Sequence, residues 1–296
     1  MTGTACELCG SGEYRILYKG AGEGLTAADF KITKSVLKKG PVVKCLGCGL
    51  ARAGEMQDHR RFYEQVTDEQ YEKDRASRLK EFQPAFERLE QCGRARGGRK
   101  KILDVGCMTG ILLEFLRSCP GREISAEGVE PSGWAAGVCR DKGLSVTQGC
   151  FEDVPLPAGE YDAVTMFDVL EHVPFPRIFL RKAREILKPG GLLLITTPDF
   201  GSLYRRLFRR HYWFIEAMHL HYFTRPTLKA LLEKGGFRVL RVQRHDKVLK
   251  LNYALARLKG AVPFFRFLPS GLPRAIGGEA DVRFYAGQML VIAERV

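Results

Sequence analysis

The chain has 296 residues, a hydrophobic fraction of 45% and a formal net charge of +13. That length suits one large domain or two smaller ones with an ample packed core. No run of about 18 uninterrupted apolar residues occurs, which excludes a spanning helix, and MTGTACELCG has no apolar core of a secretory signal. Nine cysteines, an odd number, argue for thiols in a reducing cytoplasm over a disulfide framework. The basic balance favours nucleic acid, phosphorylated sugars or an anionic membrane surface and does not choose between them. Arg94–Lys101, Arg205-Arg206 and Arg209-Arg210 hold much of the excess, and solvated surface is the default reading of each cluster.

Residues 1–55 carry two matched pairs, Cys6-Glu-Leu-Cys9-Gly and Cys45-Leu-Gly-Cys48-Gly, separated by 35 residues. Each CxxC turn puts two sulfurs within reach of one ion, and two turns complete a tetrahedral four-cysteine site. This predicts a zinc ribbon with Cys6, Cys9, Cys45 and Cys48 as ligands of a structural Zn2+. Val42-Val43-Lys44 reads as the strand entering the second turn. Residues 56–100 form a charged connector and cover with interleaved aromatics. Leu79, Phe82, Phe86 and Leu89 fall at helical spacing, predicting a helix over about 77–91.

From residue 101 the pattern alternates strand and helix: strands over 101–105, 124–130, 144–148, 161–167 and 191–197, with a helix over Phe175–Leu187. It implies an α/β fold with a mainly parallel sheet and right-handed crossovers. The stretch KILDVGCMTG (Lys101–Gly110) reads as a buried strand, a tight turn and a helix start. Twenty-six residues after Asp104 a second strand ends in Glu130. Amides at such a turn receive the polar end of a nucleotide-type ligand, and the acid accepts from ribose hydroxyls. Asp104-x-Gly106-x-x-x-Gly110 lacks the middle glycine of a dinucleotide fingerprint, with Met108 in that region. Ligands bind beyond the carboxyl ends of the strands, which puts Gly106, Glu130, Phe151, Asp168 and Thr197 on one rim.

KILDVGCMTG resembles the first motif of class I S-adenosylmethionine-dependent methyltransferases. The likeness continues through GVEPS (Gly128–Ser132), GCFEDVP (Gly149–Pro155), YDAVTMFDVLEHV (Tyr161–Val173), LKPGGLLLITTPD (Leu187–Asp199) and HLHYFTRPTLKALLEKGGF (His219–Phe237). It implies a Rossmann-like seven-stranded sheet over 101–296, closed by an antiparallel pair at Phe237–Val242 and Gln288–Ala293. It implies S-adenosylmethionine as cofactor, with Asp104, Gly106 and Gly110 at its methionine end, Glu130 on the ribose, and Phe151 and Asp168 alongside. Met108 departs from the usual small residue. Cys150 stands where many relatives carry an acid, leaving adenine to Phe151 or Glu152. In related enzymes the aromatic segment before the first helix helps cover the site, which makes Tyr63 and Tyr71 candidate cover residues, with plain packing the alternative reading. A ribbon ahead of this domain is similar to bacterial enzymes acting on sugars and polysaccharide precursors, and also precedes some ribosomal-RNA methyltransferases.

Methylation of a hydroxyl calls for a base, for which His219 and His172 are the two choices. Enzymes of this kind also act without an indispensable base, because positioning does much of the work. Thr227–Lys234 reads as an amphipathic helix ended by Gly235-Gly236. Residues 244–286 read as a long insertion serving as lid, dimer contact or interfacial element. The expected activity is methyl transfer to a small-molecule or glycan-type acceptor. Its rivals are an RNA methyltransferase and a non-catalytic zinc and cofactor-binding scaffold. Peripheral membrane contact and the oligomeric state stay open.

Overall fold

A computed structural model describes residues 5–20, 40–56, 59–93, 99–252, 255 and 280–296. The large sheet contains β4 (Lys100–Val105), β5 (Ile124–Glu130), β6 (Ser145–Gln148), β7 (Tyr161–Phe167), β8 (Leu187–Pro198), β10 (Phe237–Lys250) and β11 (Asp281–Arg295). Its order is β10-β11-β8-β7-β4-β5-β6. Five strands run parallel, and β11 is antiparallel to both β8 and β10. This is the α/β, Rossmann-like, seven-stranded architecture that the alternating pattern implied. The chain reverses its winding between β4 and β7, so ligands are expected above these two strands.

Helices cover both faces. On one face α3 (Arg75–Cys92) lays Phe82, Phe86 and Leu89 against Ile102, Leu194, Leu290 and Ile292, with Ile111, Leu112 and Leu116 of α4 (Ile111–Arg117) beside them. On the other, α6 (Pro176–Ile186) and α8 (Arg225–Lys234) bury Phe179, Leu180, Ile186, Leu228, Leu231 and Leu232 against Leu103, Val164, Met166 and Leu193. Each such side chain contributes about 1.5–3 kcal/mol of burial. Both helices begin well: α6 has Pro176 in its first turn, and Thr224 and Thr227 close a capping box on α8.

The segment read as a ribbon contributes three strands to a second, four-stranded sheet of β1 (Tyr14–Tyr18), β2 (Val42–Cys45), β3 (Ala51–Ala53) and β9 (His221–Tyr222), in that order. Its fourth strand comes from the far part of the chain, where Ala51 pairs with Tyr222 and Arg52 with His221. Cys6, Leu8, Cys45 and Leu50 join the core around α6 and α8, and Lys234 Nζ donates to the Leu8 carbonyl at 2.8 Å. The two sheets therefore share one core.

Three sequence expectations change. The KPGG segment lies inside β8, which begins at Leu187 rather than 191 and bulges against β7 between Tyr161 and Ala163. The antiparallel pair is longer than expected: β10 continues to Lys250 and β11 starts at Asp281, so both ends of the 244–286 insertion are sheet. Most of the insertion between them lies outside the described residues. The connector holds two short helices besides α3: α1 (Arg60–Glu64) and α2 (Glu69–Lys73).

Candidate active site

A cleft of about 340 Å³ opens above the carboxyl ends of β4, β5 and β7. Asp104, Gly106, Met108, Glu130, Cys150, Phe151 and Glu152 line one end. Tyr63, Glu171, His172, Phe214, Glu216 and His219 line the other.

At the first end Glu130 is 3% exposed, and its two oxygens accept from Met108 N and Ser132 N, both at 2.8 Å. Burial raises its pKa to about 7 against the pull of those amides. Asp104 also rises to about 7, through burial first and the Glu130 charge second, although it accepts from Thr165 Oγ1 at 2.6 Å. Two carboxylates held dry, each with acceptor capacity left over, suit a ligand rich in hydroxyl and ammonium donors. Gly106 has φ +70, and a side chain there would press on Val169.

Met108 has φ 48, a left-handed conformation unusual for a side-chain-bearing residue. Its amide bond to Glu130 and a 3.1 Å bond from Cys139 Sγ to its carbonyl hold it there. Gly110, expected at the cofactor, is not among the residues that line the cleft. At φ +77 it begins α4, and an added Cβ would fall 2.4 Å from Leu144, so it serves the backbone turn and close packing against the segment that leads into β6. Phe151 lines the cleft but is 2% exposed and packs on Phe179, with ring centroids 5.4 Å apart.

Asp168 stands at φ 54 just after β7. Lys247 Nζ donates to it at 2.5 Å, and Thr196 Oγ1 and Gln288 Nε2 each donate at 2.9 Å. Burial alone would raise this carboxyl, but Lys247 holds it well below the usual range. Lys247 also reaches Glu81 of α3 at 3.4 Å. The motif reading missed Lys247, Gln288 and Glu81. Their only signal was a lone charge or amide in three segments distant in sequence.

At the second end His172 and His219 meet, with ring centroids 4.6 Å apart. His172 Nδ1 contacts the Tyr63 hydroxyl at 3.0 Å and the Met218 carbonyl at 3.1 Å. Burial lowers its pKa to about 3, which keeps the ring neutral and makes it a weak proton acceptor at neutral pH. His219 is 4% exposed; its Nδ1 lies 2.7 Å from the Phe214 carbonyl and its Nε2 3.2 Å from Glu216. Tyr63 and Tyr71 both line the cleft. The segment between α1 and α2 is tied to the rim by Ser132 Oγ, which donates to the Val66 carbonyl at 2.7 Å. Glu72, Arg75, Glu114 and Lys142 interlock beside it at 2.6–3.2 Å.

Away from the cleft, the sulfurs of Cys6, Cys9, Cys45 and Cys48 lie within 4.8 Å of one another. Burial pushes the Cys45 thiol up, but the Cys48 amide and the Cys9 thiol outweigh it and bring it down to about 7. Four sulfurs at this spacing fit a tetrahedral ion with metal–sulfur bonds of about 2.3 Å.

A parallel sheet reversed at β4, with acids after β4 and β5 facing one cleft, defines the class of nucleotide-type cofactor folds. The chain belongs to the methyltransferase-domain family, whose model matches residues 71–242. Among curated proteins it is 37% identical over 118 residues to the mitochondrial ubiquinone biosynthesis O-methyltransferase of Candida albicans, covering 36% of each chain. It is 35% identical over 117 residues to the ubiquinone biosynthesis O-methyltransferase of Escherichia coli O157:H7, covering 37% of this chain and 48% of the relative. The chain thus spans less than half the length of these relatives. Among solved structures, a chain from the complex of the Haloferax volcanii Trm112 methyltransferase activator with a provisionally named methyltransferase superposes with TM-score 0.53. It has 15% identity and covers 76% of this chain and 92% of that one. A Galdieria sulphuraria protein, provisionally named a sarcosine dimethylglycine methyltransferase, gives 0.52 at 18% identity, covering 81% and 98%. These two likenesses concern the fold.

Proposed function

We propose that the protein transfers the methyl group of S-adenosylmethionine to a hydroxyl of a small acceptor. The observation that carries this reading is one continuous cleft with two unlike ends, paired dry carboxylates at one and an aromatic, histidine-bearing wall at the other. When bound, the cofactor supplies an electrophilic methyl on a sulfonium. Glu130 accepts from the ribose hydroxyls, Asp104 and the amides of the Gly106–Met108 turn hold the methionine end, and Phe151 and Cys150 border the adenine. Asp168, fixed by Lys247, sets the floor between the two ends. The cover residues Tyr63 and Tyr71 exclude water, which favours transfer over loss of the methyl to solvent.

His172 and His219 line the acceptor end, with His219 Nε2 3.2 Å from Glu216 Oε1. An aromatic hydroxyl fits this wall better than a sugar, because Tyr63, Phe167 and Phe214 present ring faces and edges. The names of the curated relatives point the same way. A glycan-type acceptor is the second arm of the test. The four-cysteine cluster binds a structural zinc that holds the ribbon against α6 and α8.

Radiolabelled cofactor tests the reading against dihydroxylated aromatics, nucleotide sugars, lipid-linked sugars and RNA. Label on the aromatic acceptors, lost in Asp104→Ala, is the expected result. Label on RNA alone, with RNA affinity falling steeply with salt, overturns it.

A further inference from the structure

We infer that Glu171, His172 and His219 form a divalent-cation site at the acceptor end of the cleft, separate from the four-cysteine cluster. Their ligand atoms all lie within 4.8 Å of one another. Three features of the surroundings make this a built site rather than a chance cluster.

The first is Glu171. It is 1% exposed and lines the cleft, and neither carboxylate oxygen has a hydrogen-bond partner among the described residues. A buried carboxylate without donors is costly unless a cation faces it. Its backbone is meanwhile fixed, because its carbonyl accepts from Leu220 N at 2.7 Å and His221 N at 3.0 Å.

The second is the orientation of both imidazoles. His172 Nδ1 lies 3.1 Å from the Met218 carbonyl and His219 Nδ1 lies 2.7 Å from the Phe214 carbonyl. A carbonyl only accepts, so His219 Nδ1 carries the proton and its Nε2 keeps its lone pair, while His172 Nδ1 is held between the Met218 carbonyl and the Tyr63 hydroxyl at 3.0 Å. Backbone-oriented imidazoles of this kind are the usual outer support of metal-ligating histidines.

The third is Glu216, whose Oε1 lies 3.2 Å from His219 Nε2. A lone pair set against a carboxylate oxygen is satisfied by a proton or by a cation between them, and Glu216 supplies a fourth donor for the latter.

Two imidazoles with one or two carboxylates suit zinc, iron, cobalt or manganese better than calcium. The inference rests on the methyl-transfer reading for its use. The cation takes the acceptor hydroxyl as a ligand and makes it more acidic. The proton leaves to solvent, the oxygen forms its bond to the methyl carbon, and the sulfur–carbon pair returns to sulfur, leaving a neutral thioether. The two histidines then act as ligands, and no general base is needed.

The test is metal binding, read without activity. Purified protein with its cysteine site filled by zinc is titrated with Co2+ and followed by metal content and visible absorption. The expected result is one further equivalent per chain, without the intense sulfur-to-cobalt band of a thiolate site. Glu171→Gln and His219→Asn should each weaken it by about 100-fold or more. Both variants should still bind S-adenosylmethionine by calorimetry, which establishes that they fold. Absence of a second equivalent in the native protein, or its persistence in both variants, overturns the site. Loss of cofactor binding by the native protein instead overturns the methyl-transfer reading and leaves the metal result standing.

Discussion

The two ends of the cleft are built differently. The cofactor end comes from neighbouring strands, with Asp104 and Glu130 on adjacent parallel β4 and β5 and the Gly106–Met108 turn between them. The acceptor end is assembled from α1, the β7 exit, the loop before β9, and β10, brought together across more than 180 residues of sequence. The first is a local motif and the second a tertiary product. The N-terminal sheet reaches the second end through the β3–β9 pairing, two residues from His219.

Zinc removal should break this contrast most strongly. Chelation is expected to unfold the ribbon sheet and release β9, abolishing acceptor turnover while calorimetry finds cofactor affinity unchanged. Equal loss at both ends would show that the ribbon supports the whole fold. The next largest effect is expected from Lys247→Met. It leaves the buried Glu81 and the half-buried Asp168 without this cation, destabilising the protein by about 3 kcal/mol in chemical denaturation. A neutral result would mean that other groups compensate for the charge.

The pH response sharpens the contrast at the cofactor end. Glu130 and Asp104 rise from ordinary values of 4.5 and 3.8 to about 7. Their contribution to stability is therefore present in acid and lost as pH rises through 7. Cofactor binding runs the other way, because its hydroxyl and ammonium donors need the ionised carboxylates. Affinity should increase by about tenfold per group between pH 6 and pH 8. A flat profile would remove both carboxylates from the cofactor site. The smallest effect is expected from Tyr63→Phe, which deletes one contact to His172 and should lower turnover about fivefold, with cofactor affinity retained.

The same contrast explains what was readable from sequence. Strand–turn–helix units are local, so β4, β5, β7, α6 and α8 could be placed before the structure. Asp104, Gly106 and Glu130 lie on the cleft because each is within a few residues of its strand end. Gly110 does not line the cleft; a glycine at a helix start serves packing as readily as ligand binding, and here Leu144 and Cys139 crowd its Cβ position. Lys247 and Gln288 fell in or beside a presumed lid, because β10 and β11 extend past their apolar stretches into mixed sequence. His172 was named from sequence as a candidate base, but its link to Tyr63, 109 residues earlier, has no local signal.

Calorimetry with S-adenosylmethionine tests the central claim most directly. The native protein should bind one equivalent with micromolar affinity. Glu130→Ala should weaken that by about 100-fold or more, given two charged hydrogen bonds to the ribose, while keeping its far-ultraviolet dichroism. No binding by the native protein, or equal binding by the two, would contradict the assignment of this cleft to methyl transfer.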